Sequence, residues 1–178
     1  VDNESSEIIR MFNSTFNNFS KNPVLDFYPE ALRPEIDQVN EWIFSNINTG
    51  VYKTGFAKTQ EAYEEGFTNL FNALDRVEEI LTRSRYLVGD KLTEADIRLF
   101  VTLLRFDEVY AVYFKCNKKR IVDYPDILNY AREIYQTRDI AETVKMAHIK
   151  THYYTSHPLL NHFAIVPVGP DFEGILKE

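Results

Sequence analysis

The stretch Leu87-Val88-Gly89-Asp90-Lys91-Leu92-Thr93-Glu94-Ala95-Asp96 combines a loop, a helix cap and the first turn of a helix. Thr93 and Asp96 have the spacing of a capping box, with Asp in place of the usual Glu. The sequence that follows, from Ile97 to Tyr110, is apolar on almost every side. A helix that is apolar all round is typical of the interior of a bundle, so this pattern predicts a central helix.

Helical patterns occupy most of the sequence on both sides of this element. Amphipathic spacing begins after Glu7, and Pro34 suits the first turn of a second helix. Apolar residues repeat with a period of about 3.6 from Thr59 to Arg83, which predicts one long helix. A further helix is predicted after Tyr124-Pro125, and a last one from Asp139 to about His148. Every predicted element is helical, so the predicted fold class is all-α.

The sequence divides into four segments. Residues 1–20 contain an opening helix, residues 21–33 form a proline-punctuated linker, and residues 34–150 form the main helical domain. Residues 151–178 are too irregular for a helix and too aromatic for a solvated tail, so we expect them to pack on the bundle. Neither an initiator Met nor a strand precedes the opening helix, and we therefore expect the chain to be the later part of a longer polypeptide.

Composition limits the classes of partner. The 178 residues are 44% apolar and 14% aromatic, which is enough to build a core and excludes a disordered chain. A net charge of -7 argues against nucleic-acid or anionic-membrane surfaces, and no apolar run reaches the ~18 residues of a membrane span. The single cysteine, Cys116, excludes an internal disulfide and suits a reducing compartment, so we expect a cytoplasmic protein.

Cysteine and histidine give weak signals for chemistry. Cys116 follows Lys115, which would lower the pKa of a thiol, but a packed thiol is the favoured interpretation. His148 and His152 are spaced to share a helical face, yet no cysteine or carboxylate with ligand spacing accompanies them. We therefore expect no metal site.

Three tyrosines are better candidates for function. Tyr52 lies beside a glycine-rich break, Gly50 to Gly55, in an otherwise helical sequence. Exposed loop positions often carry function, although Tyr is also a common half-buried packing residue. Tyr153 and Tyr154 present the same alternatives, and because adjacent tyrosines usually point in different directions, we expect one of them to be structural.

Five strings of the sequence carry a family resemblance: Gly50–Ala57, Gly89–Asp96, Tyr113–Asn117, Lys150–Tyr154 and Ile165–Pro170. Gly89–Asp96, placed on a central helix, resembles the C-terminal helical half of a glutathione transferase. The other four resemble more narrowly the glutathionyl-hydroquinone reductases, which are also called the Xi class and are related to the omega-like transferases.

The resemblance implies an intact enzyme whose N-terminal, thioredoxin-like half holds a catalytic cysteine in a Cys-Pro-Trp motif. That motif is absent from this sequence, so the chain would be the helical, substrate-binding half, inactive alone, with residues 1–20 as the last helix of the thioredoxin-like half. Glu4 and Ser5 match the family's Glu-Ser pair, which holds the glutamyl end of glutathione. Glutathione is thus implied as a substrate, and the helical domain is expected to form a homodimer.

In such a family the cysteine thiolate attacks the sulfur of a glutathionyl-hydroquinone and releases the hydroquinone, and a second glutathione resolves the mixed disulfide to oxidised glutathione. Tyrosines suit this substrate because they hydrogen-bond phenolic oxygens without adding charge, and a Tyr hydroxyl can act as a general acid. By match to the family, Tyr52 and Tyr153 are the catalytic tyrosines. Tyr154 and His152 are expected to border the substrate pocket.

The alternative hypothesis is a non-catalytic, transferase-like helical module for protein–protein association. The absence of a catalytic cysteine in this sequence favours it. The upstream coding sequence distinguishes the two hypotheses, because an in-frame thioredoxin-like segment with Cys-Pro-Trp would support the enzyme.

Overall fold

Helices form all the regular secondary structure of residues 3–178, the part of the chain that the computed structural model describes. The prediction of an all-α fold is confirmed for this range. Val1 and Asp2, which belong to the predicted segment 1–20, lie outside the described residues. The α-helices are α1 (Ser5–Asn13), α2 (Arg33–Ile43), α3 (Gly50–Gly55), α4 (Gln60–Leu81), α5 (Glu94–Arg105), α6 (Ala111–Tyr113), α7 (Pro125–Gln136), α8 (Ile140–Thr143), α9 (Met146–Ser156) and α10 (Phe172–Leu176).

The predicted central helix is buried. Leu99 and Leu103 on α5 are inaccessible to solvent, and α2 and α7 pack against this helix. The long amphipathic helix α4 buries Leu70, Leu74 and Val77 and packs along α3. Full burial of such a side chain contributes about 1.5–3 kcal/mol, so this core provides a rigid frame for the segments around it.

The predicted capping box begins α5. Thr93 and Asp96 form the reciprocal cap, and the Thr93 N–H donates to the Asp96 carboxylate at 2.7 Å. Asp96 is fully buried, and its carboxylate also accepts from the Leu87 N–H and the Tyr130 hydroxyl, each at 2.9 Å. Burial raises the pKa of Asp96, and these hydrogen bonds oppose that rise. The cap therefore also fastens the preceding loop and α7 to the central helix.

The stretch predicted as one helix to Tyr110 changes character after Arg105. Phe106–Tyr110 is a π-helical segment, and the short helix α6 follows it. Asp107 and Glu108 lie in this segment with 1% and 2% of their surface exposed. Asp107 accepts hydrogen bonds from the backbone N–H groups of Ile121 at 2.5 Å and Val122 at 3.3 Å. The wider turn thus places the carboxylates of Asp107 and Glu108 where they accept hydrogen bonds from backbone N–H groups of segments distant in sequence.

Two sequence predictions about helix boundaries are wrong. The predicted last helix, 139–148, is the four-residue α8 followed by a break, and α9 extends across Thr151–Ser156, which was expected to be irregular. Neither Gly nor Pro interrupts this stretch before Pro158, and packing of α9 against the segment Phe106–Tyr110 stabilises the continued helix. Further on, Phe172 and Leu176 of α10 are fully buried.

The glycine-rich break around Tyr52 is also helical. Gly55 belongs to α3, and a Cβ there would lie 2.2 Å from the ring of Phe114. Glycine is needed at this position because the ring of Phe114 packs directly against the helix backbone. The glycines of this stretch therefore do not break the helix, which continues to Gly55.

The opening helix α1 is shorter than its sequence pattern suggests and buries no residue completely. It ends at Asn13, and the two aromatic residues that follow, Phe16 and Phe19, are 43% and 86% exposed. Arg10 fastens α1 to the bundle through an ion pair with Glu94 at 2.9 Å and one with Asp37 at 2.5 Å. None of the helices in residues 3–178 combines the length and the apolar character that a membrane span requires.

Candidate functional site

Three tyrosine hydroxyls from three separate segments meet in the fold. Tyr52 comes from α3, Tyr110 from the π-helical segment and Tyr153 from α9. The Tyr153 hydroxyl lies 2.5 Å from that of Tyr52 and 2.9 Å from that of Tyr110, and the Tyr52 and Tyr110 hydroxyls are 3.5 Å apart. We call these three residues the tyrosine cluster.

Aromatic packing holds the tyrosine cluster in place. The buried ring of Phe114 lies with its centroid 5.5 Å from Tyr52, 5.6 Å from Tyr110 and 6.1 Å from Tyr153. Tyr52 also stacks on Phe56, at 6.4 Å. Offset and edge-on pairs of this kind are worth about 0.5–1.5 kcal/mol each beyond the area that they bury, so the rings are held in a definite arrangement.

The tyrosine cluster lines one wall of a cleft with a volume of about 480 Å3. Four residues of α5 and Ser5, at the start of α1, line the same cleft. Of the described residues that line the cleft, Arg98 and Arg105 are cationic and none is acidic, although the whole chain carries a net charge of -7. The remaining lining residues are Phe44, Asn48, Val101 and Thr102. The cleft therefore combines aromatic surface, hydroxyl groups and positive charge.

Burial favours the protonated form of two members of the tyrosine cluster, Tyr110 and Tyr153. It raises the pKa of Tyr153 to about 12, and the hydrogen bond from Tyr110 and the charge of Arg105 act in the opposite direction. Burial also raises the pKa of Tyr110 well above the usual value for a phenol. Three hydroxyls carry three O–H donors, and the two short contacts between them use two of these. The third contact, between Tyr52 and Tyr110 at 3.5 Å, is the longest and weakest, so its donor is the one that a ligand in the cleft can take.

The structure brings together the two tyrosines that the sequence singled out as catalytic, and separates the other candidates from them. Tyr154 faces the core, 3% exposed, and its hydroxyl donates to the Glu108 carbonyl at 3.0 Å. Successive residues of a helix point about 100° apart, so Tyr153 and Tyr154 cannot face the same cleft. His152 is exposed and packs edge-on against the Tyr153 ring at 5.4 Å, outside the lining of the cleft.

The Glu-Ser pair is divided in a similar way. Ser5 lines the cleft. Glu4 is the residue at the start of α1, with an exposed side chain, and its carbonyl accepts from the N–H groups of Glu7 and Ile8, each at 3.0 Å. Of the pair Glu4 and Ser5, Ser5 is the member that lines the cleft.

Sequence reasoning missed Tyr110 and Arg105. Tyr110 ends the apolar stretch of the central helix and is buried in the core as expected, and the π-helical turn also directs its hydroxyl to Tyr153. The Asp-Glu pair at 107–108 was the available signal, because two carboxylates inside an apolar helix indicate that its geometry changes there.

The single cysteine is not part of the cleft. Cys116 is fully buried, as the interpretation of a packed thiol predicted, and burial raises its pKa to about 12. Within residues 3–178 no group of three or more potential ligand side chains is arranged to hold a metal ion.

The sequence and the fold both match known glutathione transferases. The family model for the glutathione S-transferase C-terminal domain matches residues 60–133. The chain is 52% identical to the glutathionyl-hydroquinone reductase PcpF of Sphingobium chlorophenolicum over 170 residues, which cover 96% of this chain and 54% of that protein. The chain spans about half the length of the curated relatives that it matches.

Two solved structures show the same helical arrangement. The glutathione-bound structure of YqjG, a glutathione transferase homologue from Escherichia coli K-12, has a TM-score of 0.92 at 50% identity, covering 97% of this chain and 56% of that one. Glutathione transferase Xi 1 from Trametes versicolor has a TM-score of 0.93 at 56% identity, covering 96% of this chain and 60% of that one. Residues 60–133 of this chain therefore match the glutathione S-transferase C-terminal domain, and over 96% of its length the chain is similar to glutathionyl-hydroquinone reductases and Xi-class transferases.

Proposed function

We propose that this chain is the helical, substrate-binding half of a glutathione-dependent reductase that removes glutathione from glutathionyl-hydroquinones. The observation that carries the proposal is the tyrosine cluster, which places three uncharged hydroxyls at the wall of an aromatic cleft. The names of the relatives support the same reaction, because PcpF and YqjG are glutathionyl-hydroquinone reductases.

In the proposed reaction a cysteine thiolate of the thioredoxin-like half attacks the sulfur of the conjugate. A sulfur–sulfur bond forms, the bond between sulfur and the ring carbon breaks, and its electrons pass to the ring, which then takes up a proton. A second glutathione attacks the mixed disulfide, which releases oxidised glutathione and restores the thiolate. The net change is reduction of the aryl thioether to the free hydroquinone, while the glutathionyl group of the conjugate and one free glutathione are joined as oxidised glutathione.

The tyrosine cluster has two tasks in this proposal. The O–H donor that the two short contacts leave unused binds a phenolic oxygen of the substrate. A tyrosine hydroxyl also supplies the proton to the ring carbon. Tyr153 is the central member because it lies within 2.9 Å of both other hydroxyls. When one tyrosine gives its proton to the ring, the neighbouring hydroxyls donate hydrogen bonds to the phenolate oxygen that remains. These hydrogen bonds limit the negative charge on that oxygen.

The remaining assignments follow from the resemblance and are part of the proposal. Residues 1–20 are the last helix of the thioredoxin-like half, residues 21–33 the linker, 34–150 the helical domain and 151–178 the tail. Ser5, together with Glu4, holds the glutamyl end of glutathione at the edge of the cleft. The cytoplasmic protein acts as a homodimer through the helical domain.

The test uses the intact protein with its thioredoxin-like half and follows the reduction of a glutathionyl-hydroquinone. We expect Tyr52→Phe and Tyr153→Phe to lower kcat at least about tenfold, since general acid catalysis contributes about 10²–10⁴-fold. Tyr63→Phe is the matched control, because its hydroxyl bonds the Lys115 carbonyl outside the cleft, at 2.9 Å.

Two results would contradict the proposal. One is an intact protein that conjugates glutathione to ordinary electrophiles but never reduces a glutathionyl-hydroquinone. The other is unchanged reduction in both cluster variants, which would remove the tyrosines from the reaction.

A further inference from the structure

Arg105 is a cation of the cleft without a carboxylate partner among residues 3–178. It is the last residue of α5 and is partly buried. Its Nη1 donates to the Val101 carbonyl at 2.5 Å, which uses one of the five N–H donors of the guanidinium. The other donors are free to meet an acceptor in the cleft.

The second cation of the cleft differs in its partners. Arg98 pairs with Glu94 at 3.4 Å, and Glu94 is itself bound to Arg10 of α1 at 2.9 Å. Arg98 is therefore already engaged in an ion-pair network that reaches α1, the helix that also brings Ser5 to the cleft. Arg98 and Arg105 are seven residues apart, which separates their Cα atoms by about 10 Å along the helix axis.

Arg105 lines the same cleft as the tyrosine cluster. Its charge acts on Tyr153, where it opposes the effect of burial on the pKa of that phenol. A ligand whose phenolic oxygen bonds Tyr153 would therefore present its ring substituents to this guanidinium. Among residues 3–178 no acidic side chain lines the cleft, so no carboxylate of this part of the chain competes for the positive charge in its wall.

We propose that Arg105 forms an anion subsite beside the tyrosine cluster, and that the cleft prefers hydroquinones that carry a carboxylate on the ring. This inference rests on the function proposed above and narrows its substrate class. The guanidinium accepts a carboxylate through two parallel N–H···O bonds, a geometry that a neutral substituent cannot reproduce. The carboxylate of glutathione is the competing source of the same chemistry, and we assign it to the Ser5 end.

The test measures binding to this chain of two small probes that lack glutathione. Hydroquinone is neutral at pH 7, and 2,5-dihydroxybenzoate is the same ring with one carboxylate. We expect the carboxylated probe to bind about tenfold more tightly at low salt, with the preference falling as salt screens the charge. Titrations followed by NMR suit the weak affinities of such small molecules.

Three variants make the test specific. Arg105→Gln should abolish the preference for 2,5-dihydroxybenzoate and leave hydroquinone binding within about twofold of the original. Arg105→Lys keeps the charge and should retain part of the preference, which guards against a folding defect in the glutamine variant. Arg83→Gln is the matched control, because it removes the same charge from a side chain that is 75% exposed and pairs with Glu79 outside the cleft.

Equal binding of the two probes, or a preference that survives Arg105→Gln, would overturn the inference. Loss of the preference in Arg83→Gln as well would also overturn it, since the cause would then be the overall charge. Glutathione binding that depends on Arg105, without discrimination between the probes, would assign the guanidinium to the peptide carboxylate and refute the ring subsite. Each of these outcomes leaves reduction by the intact protein to be measured separately, so the proposed function can survive the failure of the inference.

Discussion

Replacing Glu108 by glutamine removes the charge of a buried carboxylate that joins three segments. Glu108 lies in the π-helical segment, and its Oε1 accepts from the N–H groups of Phe172 at 3.0 Å and Glu173 at 3.3 Å. Its Oε2 lies 3.1 Å from Nζ of Lys150 on α9. Only 2% of Glu108 and 8% of Lys150 are exposed, so the pair is almost completely removed from water.

The expected loss of unfolding free energy comes from the Lys150 cation, which stays buried after its carboxylate partner is removed. In Glu108→Gln the amide oxygen can still accept from Phe172, but Lys150 retains only the Val168 carbonyl, at 3.1 Å. Removal of one partner of a buried pair costs about 3–5 kcal/mol, and the remaining hydrogen bond places this case near 3 kcal/mol. For a chain of this size we expect Tm to fall by about 6–12 °C.

The assay is urea unfolding of Glu108→Gln, Lys150→Met and the double variant. Replacement of a whole buried ion pair is often nearly neutral, so we expect the double variant to lie within about 1 kcal/mol of the original chain. The coupling energy from the cycle should then exceed about 1.5 kcal/mol. A cost below about 1 kcal/mol for Glu108→Gln, or a coupling energy near zero, would refute this account of the pair.

Two further predictions concern the segments that carry the site. Burial raises the pKa of Asp107 to about 6, above its unfolded value, so its contribution to stability is complete below the unfolded pKa and is lost as pH rises through about 6. Relative to Asp107→Asn, the original chain should lose about 2 kcal/mol between pH 4 and pH 7, measured as the difference in urea unfolding, and a difference that does not change with pH would contradict this. Gly55→Ala should cost about 1–3 kcal/mol by displacing the ring of Phe114. Gly50→Ala is its control, with a Cβ at an ordinary 3.7 Å from Leu70, and equal unfolding free energies for the two variants would exclude the packing explanation.

The parts of the fold that local chemistry specifies could be predicted from the sequence. The capping box at Thr93 and Asp96 requires only residues three apart, and the burial of α5 follows from its composition. The boundaries of α3 and α9 could not be predicted, because Gly55 is set by its contact with Phe114 and the continuation of α9 by packing against other segments. Local propensity does not contain these contacts.

The candidate site shows the same division. Tyr52 and Tyr153 are 101 residues apart in sequence, and resemblance to a family was the only signal that joined them. Tyr110 carried no signal of its own, because a tyrosine at the end of an apolar helix is normally a core residue. The π-helical turn at Phe106–Tyr110 sets its direction, and Asp107 and Glu108 hold that turn through donors more than ten residues away.

The sequence by itself determined an all-helical chain with a buried central helix and an acidic overall charge, since each depends on composition or on residues within one or two turns. Only the tertiary structure decided which side chains share the cleft. The tyrosine cluster joins α3, the π-helical segment and α9, and Arg105 faces it from the end of α5. The physical reason is that burial and long-range hydrogen bonds determine where these hydroxyls meet, and neither is encoded in the spacing of residues along the chain.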